Sequence, residues 1–350
     1  MSLFISPPLV SVIILNYNGA RWLDRCLASL KLQSLFTQIE VIVADNLSSD
    51  NSDKLAETII HSWPNGRFIQ HGENLGYCEG NNRAAKAARG KFLFFLNNDT
   101  WMEPDCLEKL VSEVQAVQAS AATPMVLNYD DDTFQSLGAT GFDLFGLTST
   151  RMPYPDTREI LMPEGCSYLI DRQVFERLGG FDPAFFMFSD EFDLSWRVWI
   201  AGYKAIGVPA ARLHHRGAAN VNPQGDARVI EFRTSDTKRF YANRNGLLVL
   251  LKNCQNALLL LVILQLALLA AEALVSLVLV RRWSFVQRAY LDAVLDCWRL
   301  RHHVRSERER IRQFRCRSDW WMLRFMRWRL NRWDELLRMI HFGRPKVTAS

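Results

Sequence analysis

The first hundred residues alternate between short apolar runs and segments with helical periodicity. Val10–Leu15, Val41–Ala44 and Phe92–Leu96 are almost entirely apolar, and Phe68–Ile69 is a weaker run of the same kind. The spacing of apolar positions predicts helices between these runs, over 22–30, 54–61 and 82–89. Strands that are apolar on both faces belong to sheets covered on both sides. The pattern therefore predicts an α/β fold with a mostly parallel sheet flanked by helices.

Polar clusters follow these strands or begin the helices after them. They are Asn16–Gly19, Asp45–Asp50, Asn74–Asn82 and Asn97–Thr100. In open α/β sheets, ligands bind at the carboxyl ends of the strands. The second cluster is also explained by helix capping, and the third by a turn with a cap, so both explanations stay open.

Asp99 directly follows a fully apolar strand, where a carboxylate is poorly placed for a core and well placed for a metal ion. Mg²⁺ and Mn²⁺ take oxygen ligands, usually one or two carboxylates together with substrate phosphates. His214 and His215 follow the apolar run 205–213. A histidine there becomes a ligand candidate only if it faces Asp99 in space.

A later helix, predicted over Asp190–Ala201 and ended by Gly202, begins with the acids Asp190, Glu191 and Asp193. The helix dipole alone is one explanation for acids at this position. The neighbouring aromatic residues favour another, because burial raises the pKa of a carboxyl group toward the range of a general base.

The character of the chain changes at Gly246. Ala257–Val280 has only Gln265 and Glu272 as strong polar interruptions, and Arg281-Arg282-Trp283 follows it directly. As a helix this segment measures about 36 Å, enough to cross a bilayer. Residues 281–350 hold 18 basic and 7 acidic residues, whereas residues 1–280 hold 24 basic and 30 acidic residues. A tail of net charge +11 suits an anionic partner.

Taken together, these motifs resemble the family 2 inverting glycosyltransferases with the GT-A fold, in particular the bacterial rhamnosyltransferase branch. The resemblance covers about residues 8–250 and rests on motifs in the family's order. These are 10–19, Asp45-Asn-x-Ser-x-Asp50-x-Ser52, 74–82, 97–99, Gly179–Asp182, the acidic helix, His214 with the residues after it, and Phe240–Asn245.

The resemblance implies a role for each candidate residue. Residues implied in binding the nucleotide-sugar donor are Asn16, Asp45, Asn74, Gly76 and Asn98. Asp99 and His214 are implied as holders of Mg²⁺ or Mn²⁺ on the diphosphate. Glu191 is implied as the general base, with Asp190 as the alternative, because the family's usual order of these two acids is reversed here. The implied reaction is a single displacement.

We therefore expect a GT-A domain over 1–245, an apolar membrane-associated helical segment over 246–280 and a basic Arg/Trp-rich helical tail over 281–350. A domain that uses nucleotide-sugars and a basic tail are both expected on the cytoplasmic face of the inner membrane. A single spanning helix between them would place them on opposite sides of the membrane. We therefore predict helices that lie on or dip into an anionic membrane surface. A true span, and a buried appendage forming a homo-oligomer interface, remain alternatives.

The expected function is transfer of a sugar to a glycan or lipid-linked acceptor in cell-surface polysaccharide synthesis. The first candidate is L-rhamnose, donated by dTDP-rhamnose. A UDP-sugar donor is the alternative within the family. A sugar nucleotidyltransferase is less favoured, because Asn16–Gly19 is not a Gly-rich basic phosphate loop. A non-enzymatic adaptor leaves the acidic clusters of the front domain unexplained. Nucleic acid is not expected as a partner.

Overall fold

A computed structural model describes residues 7–150, 153–217, 233–333 and 346–348. The chain divides into two compact units. The first unit comprises Met1–Thr140, Thr150–Trp199 and Tyr203–Gly217. The second unit comprises Gly141–Ser149, Ile200–Gly202 and Ala218–Ser350. The domain boundaries at 245 and 280 stay predictions; the helix that contains residue 245 belongs wholly to the second unit.

The strands begin and end close to where the apolar runs predict. Their bounds are β1 Val10–Asn16, β2 Ile39–Asp45, β3 Gly66–Gln70, β4 Phe92–Asn97, β5 Thr100–Met102, β6 Ala121–Asn128, β7 Phe134–Ser136, β8 Ala139–Phe142, β9 Thr148–Thr150, β10 Arg158–Glu159, β11 Ser167–Asp171, β12 Ala205–His215, β13 Arg233–Ser235 and β14 Lys346–Thr348. Short strands between 121 and 165 agree with the irregular sequence of that stretch.

Helices occupy most of the remaining described chain. Their bounds are α1 Leu23–Lys31, α2 Ser52–His61, α3 Gly76–Ala85, α4 Cys106–Ala116, α5 Arg172–Leu178, α6 Asp190–Ile200, α7 Asp236–Asn253, α8 Leu260–Val280, α9 Trp283–Val286, α10 Ala293–Arg299, α11 Arg301–Phe314 and α12 Asp319–Met322. A π-helix at Gln287–Asp292 joins α9 to α10. Helix α3 begins six residues before the predicted start, because the glycines read as a turn lie inside it.

The first unit is built on one ten-stranded sheet. Its main path is β10-β12-β6-β11-β4-β1-β2-β3, with β5 paired to β12 and β7 to β6. The neighbours β3, β2, β1 and β4 are parallel, as their apolar sequences predict. Strand β11 is antiparallel to both β4 and β6, so the sheet as a whole is mixed. Side chains of β1, β2 and β4 form the core with α1, α2 and α4.

Parallel register brings the polar clusters of the sequence to one edge. Asn16 at the end of β1 lies opposite Asp45 at the end of β2, and Leu15 lies opposite Asn97 of β4. Three of the predicted ligand-binding clusters therefore meet at the carboxyl end of the parallel strands.

The second unit is mainly helical. Helix α7 carries a buried polar row as well as apolar side chains: Arg244 is 3.0 Å from Asp296, and Lys252 is 3.8 Å from Glu307. Helix α8 is the one helix, among the described residues, that is long and apolar enough to cross a membrane. All seven cysteines are free thiols, and all but Cys316 are buried.

Candidate active site

A network of hydrogen bonds joins the ends of β1, β2 and β4. The Asn16 amide donates to Asp45 at 2.8 Å, and the Asn98 amide donates to Asn16 at 2.9 Å. Asp45 also accepts from the Ser48 amide at 2.9 Å, the Ser48 hydroxyl at 2.6 Å and Gln70 at 2.9 Å. Asn16 and Asp45 are fully buried. These residues, predicted to bind the donor, hold one another and the loop after β2 in place.

Two apolar side chains at the same strand ends are exposed instead. Tyr17 is 44% exposed and Leu47 is 54% exposed, and Leu47 has a φ of 66°, which is costly for a side chain without a polar group. Neither was predicted as a site residue. The signal available in the sequence was a large apolar residue inside each polar cluster.

Asn74 and Gly76 shape the start of α3. The side-chain oxygen of Asn74 accepts a hydrogen bond from the backbone amide of Gly76 at 3.0 Å and one from the side-chain amide of Asn46 at 3.4 Å. Gly76 has a φ of 72°, and a Cβ there would lie 2.5 Å from the Phe186 ring. The close approach that this glycine permits is to Phe186, whose carbonyl also accepts from Tyr77 at 2.6 Å. The loop before α6 is thereby held against α3.

The structure corrects one expectation about the metal site: His215, not His214, faces Asp99. Strands β5 and β12 are antiparallel, and successive side chains of a strand point to opposite faces. His215 Nε2 lies 3.5 Å from an Asp99 carboxylate oxygen. His214 lies on the other face, stacked on Trp101 with ring centroids 3.5 Å apart, and its Nδ1 is 3.1 Å from Asp132.

The orientation of His215 is fixed by a second hydrogen bond. Its Nδ1 lies 2.8 Å from the Gln135 carbonyl oxygen, while the Gln135 amide donates to Asn128 at 3.1 Å. The glutamine oxygen therefore accepts from Nδ1–H, which leaves Nε2 directed at Asp99. This arrangement of a ring nitrogen held by an outer polar group is usual for metal-binding histidines.

Asp99 and His215 bring one carboxylate oxygen and one imidazole nitrogen together as donor atoms for a divalent cation. Asp99 is 6% exposed and supplies carboxylate oxygen, and His215 supplies an imidazole nitrogen. No group of three or more His, Cys, Asp or Glu side chains suited to a metal occurs in the described parts of the chain. Two protein ligands fit a cation that takes its other ligands from water and phosphate oxygens.

The three acids of α6 differ in their surroundings. Asp193 and Arg197 form a fully buried ion pair at 2.6 Å, and Arg197 also donates to the carbonyls of Leu178 and Gly180 at 2.8 Å. This pair fastens α6 to the Gly179-Gly180 turn. The ion pair with Arg197 is therefore sufficient to explain the acid at position 193.

Asp190 and Glu191 lie in the same helical turn without a comparable basic partner among the described residues. Burial and the neighbouring Asp193 raise the pKa of Asp190 to about 7. Burial, Asp190 and Glu164 raise the pKa of Glu191 well above its usual range. Three non-glycine residues of the preceding loop, Phe186, Phe188 and Ser189, have positive φ.

Glu164 is a further acid of this region that the sequence did not single out. It accepts a hydrogen bond from Ser136, burial raises its pKa, and its charge interacts with that of His215 as well as that of Glu191. The Glu191 carboxyl lies about 3.4 Å from where a Cβ of Gly165 would stand. Glu164 therefore lies next in the chain to the glycine against which the Glu191 carboxyl packs.

The chain resembles known glycosyltransferases in sequence. The family model for glycosyl transferase family 2 matches residues 11–179. The N-acetylglucosaminyl-diphospho-decaprenol L-rhamnosyltransferase of Mycobacterium tuberculosis is 26% identical over 265 residues, covering 67% of this chain and 84% of that protein. The O-antigen biosynthesis protein RfbC of Myxococcus xanthus is 29% identical over 238 residues. The match covers 63% of this chain and 18% of the length of RfbC.

A solved structure supports the fold. The mannosyltransferase PcManGT from Pyrobaculum calidifontis, in complex with GDP-Man and Mn²⁺, superimposes with a TM-score of 0.54 at 17% identity, covering 84% of this chain and 88% of that one. The predicted family and α/β fold class are confirmed. The chain is a glycosyltransferase with a family 2 domain and a GT-A-like fold.

Proposed function

We propose that this protein is an inverting transferase that moves a sugar from a nucleotide-sugar to an acceptor hydroxyl, with Glu191 as the general base. The observation that carries the proposal is that the first unit holds both the Glu191 carboxyl, packed against Gly165, and the Asp99–His215 pair, whose closest side-chain atoms are 3.5 Å apart. It supports a base and a leaving-group site within one unit of the chain.

Glu191 is suited to the base's task by its surroundings. A carboxyl group whose pKa is raised by burial and by Asp190 holds a proton more tightly than an exposed one, and so accepts one more readily from a hydroxyl. Glu191 takes the acceptor proton as the oxygen attacks the anomeric carbon, and the bond to the diphosphate breaks in the same displacement. Asp190, nearly fully buried at 4% exposure, is the alternative base and otherwise tunes Glu191.

Asp99 and His215 are the residues we propose to hold a divalent cation. Gln135 keeps the His215 ring in the orientation this needs. A bound Mn²⁺ or Mg²⁺ supplies positive charge that stabilises the departing diphosphate. His214, implied by the family resemblance, is engaged with Trp101 and Asp132 and is not part of this proposal.

The nucleoside half of the donor is proposed to lie against Tyr17 and Leu47, the exposed apolar side chains at the ends of β1 and β2. Asn16, Asp45 and Asn98 then act by fixing these loops, and Asn74 and Gly76 by fixing the start of α3. dTDP-L-rhamnose is the proposed donor, supported by the similarity to a rhamnosyltransferase. UDP-sugars are the alternative.

The proposed acceptor is a glycan or a lipid-linked sugar in cell-surface polysaccharide synthesis. The rhamnosyltransferase relative is named for a decaprenol-linked acceptor, and RfbC for O-antigen biosynthesis. An apolar helix in the second unit supports association with a membrane. We propose the cytoplasmic face of the inner membrane as the location, because nucleotide-sugars and the basic tail both belong there.

The test is a thermal-shift screen of dTDP-rhamnose, UDP-sugars and GDP-mannose, with and without Mn²⁺ or Mg²⁺. A donor at about 100 times its Kd raises stability by about 2.7 kcal/mol. The best donor is then used to follow transfer, and the anomeric configuration of the product is read by NMR. Retention of configuration, or undiminished transfer by both Asp99→Ala and Glu191→Ala, would refute the mechanism.

A further inference from the structure

The second unit carries an aliphatic face on α8 that is turned away from the rest of the unit. The five large hydrophobic side chains of α8 that are more than half exposed are Leu260, Ile263, Leu274, Val275 and Val278. They run from the first to the last turn of the helix, which is about 31 Å long. We use the term aliphatic face for this set of five.

The polar residues of α8 lie on the opposite side. Gln265 is buried against Gly246 of α7, Glu272 is 2.5 Å from Arg332, and the Ser276 hydroxyl is 3.0 Å from that of Tyr290. Leu261 and Leu269 are buried on the same side. Spacings of four, four, three and four residues keep this row on one helix face. Glu272, the acidic residue inside the apolar run, is therefore turned toward protein.

We propose that α8 lies in the plane of an anionic membrane surface, with its aliphatic face among the acyl chains and its polar row on the second unit. The protein side of α8 is in contact along its whole length, from Leu261 to Ser276. Helix α7, against which it packs, contains the buried Arg244–Asp296 and Lys252–Glu307 pairs. The acidic members of these pairs, Asp296 and Glu307, are partly exposed, and exposed charge belongs outside the hydrocarbon layer, which argues against α8 crossing it.

Charge and aromatic residues favour lipid as the occupant of this face. Arg281 and Arg282 are exposed directly after α8, and Trp283 beside them is 58% exposed. Arginine next to tryptophan is typical of the boundary between acyl chains and anionic headgroups. The face itself presents aliphatic carbon only, whereas protein–protein interfaces carry about one hydrogen bond per 100–200 Å². A second copy of the chain is therefore the less favoured occupant.

A second exposed apolar row follows in the same unit. Leu291, Leu295 and Trp298 are exposed at spacings of four and three residues, so they share one side of the helical stretch that ends at Arg299. Exposed Arg299 and Arg301 follow this row, so aliphatic side chains are again followed by tryptophan and arginine.

Vesicle co-sedimentation of the full chain tests the proposal. The probes are vesicles of phosphatidylcholine alone and vesicles that also contain phosphatidylglycerol. We expect binding to the anionic vesicles that weakens with salt, and at least a tenfold loss of partitioning in Leu274→Glu. Leu32→Glu is the matched control, since Leu32 and Leu274 are both leucines at 68% exposure. Equal losses in both variants, or no loss in Leu274→Glu, would overturn the proposal.

Labelling separates a helix in the plane from a span. In a Cys316→Ser background, Asn256→Cys and Ser284→Cys place single accessible thiols beyond the two ends of α8. A membrane-impermeant maleimide should label both from the same side of sealed inverted vesicles. Labelling from opposite sides would establish a span and refute the proposal. If the wild-type protein did not bind vesicles, and if Leu274→Glu converted a dimer to a monomer, the aliphatic face would be assigned to a second copy of the chain. None of these readouts depends on sugar transfer.

Discussion

The two ends of the strand edge that forms the candidate active site use buried polar groups in opposite ways. At β1 and β2, Asn16 and Asp45 are bonded to each other and to the surrounding loops, so that neighbouring protein groups satisfy the buried charge. At α6, Asp190 is buried and Glu191 beside it is partly buried, and the pKa of each is raised. The first arrangement stabilises the fold. The second costs stability, and in the proposed mechanism it serves the chemistry. Substitutions at the two ends should therefore have opposite signatures.

The largest expected effect comes from Glu191→Gln. Loss of the base should lower kcat by about 10² to 10⁴-fold. The melting temperature should hold or rise, because the substitution removes a like charge next to Asp190. Steady-state transfer kinetics and thermal unfolding measure the two quantities. A fall in both activity and stability would assign Glu191 to the framework instead.

The pH dependence sharpens this result. Glu191 must be ionised to act, so kcat/KM should fall as the pH drops through its raised pKa. Asp190→Asn removes a neighbouring negative charge and should move that fall to lower pH. For stability the sign is reversed: ionising a carboxyl group whose folded-state pKa is raised destabilises the fold as the pH increases. A pH profile unchanged in Asp190→Asn would show that Asp190 does not tune the base.

The next effect separates the two histidines. His215→Ala should raise the Mn²⁺ concentration needed for half-maximal activity by at least about 10 to 100-fold, and Gln135→Leu should do so more weakly. His214→Ala should leave the metal requirement unchanged and cost roughly 0.5–1.5 kcal/mol of stability through the lost stack on Trp101. Metal titrations of activity provide the measurement. If His214→Ala raised the Mn²⁺ requirement and His215→Ala did not, His214 would be the ligand.

The histidines also show how far sequence reasoning reaches. The apolar strands and the polar clusters at their ends are local features, and the parallel half of the sheet could be predicted from them. Which of His214 and His215 faces Asp99 depends on the register of β5 against β12, and a shift of one residue exchanges the two. Register is set by long-range packing that no pattern within either segment records.

Glu164 and Glu272 illustrate the same limit. Glu164 is one acid in an irregular segment, and its importance arises only when folding brings it near Glu191 and His215. In the sequence, Glu272 is an acid inside an apolar run, and the direction of its side chain is unknown. The structure turns it to Arg332. Composition and periodicity identify the helix, but the partner of a polar side chain belongs to tertiary structure.

At the framework end, Asp45→Asn should act mainly on stability. An asparagine amide cannot accept all the hydrogen bonds that Asp45 takes from Asn16, Ser48 and Gln70. We expect a loss of about 1–3 kcal/mol in the free energy of unfolding, measured by denaturant titration, with kcat nearly unchanged at saturating donor. Asp24→Asn, an exposed position, is the control. Unchanged stability with a large rise in donor KM would mean that Asp45 binds the donor directly.

The smallest expected effect is at Tyr17, the exposed residue within this framework. Stacking of a base on an aromatic ring contributes about 1–3 kcal/mol, and a half-exposed ring should contribute toward the lower end. Tyr17→Ala should therefore raise the donor KM by about 5 to 10-fold without changing kcat or the melting temperature, whereas Tyr17→Phe should retain wild-type KM. Donor titrations of the three proteins measure this. If Tyr17→Ala lowered the melting temperature as Asp45→Asn is expected to do, the ring would belong to the framework. If Tyr17→Phe raised the donor KM as much as Tyr17→Ala, the residue would act through its hydroxyl. The division between framework and ligand contacts at this edge would then have to be redrawn.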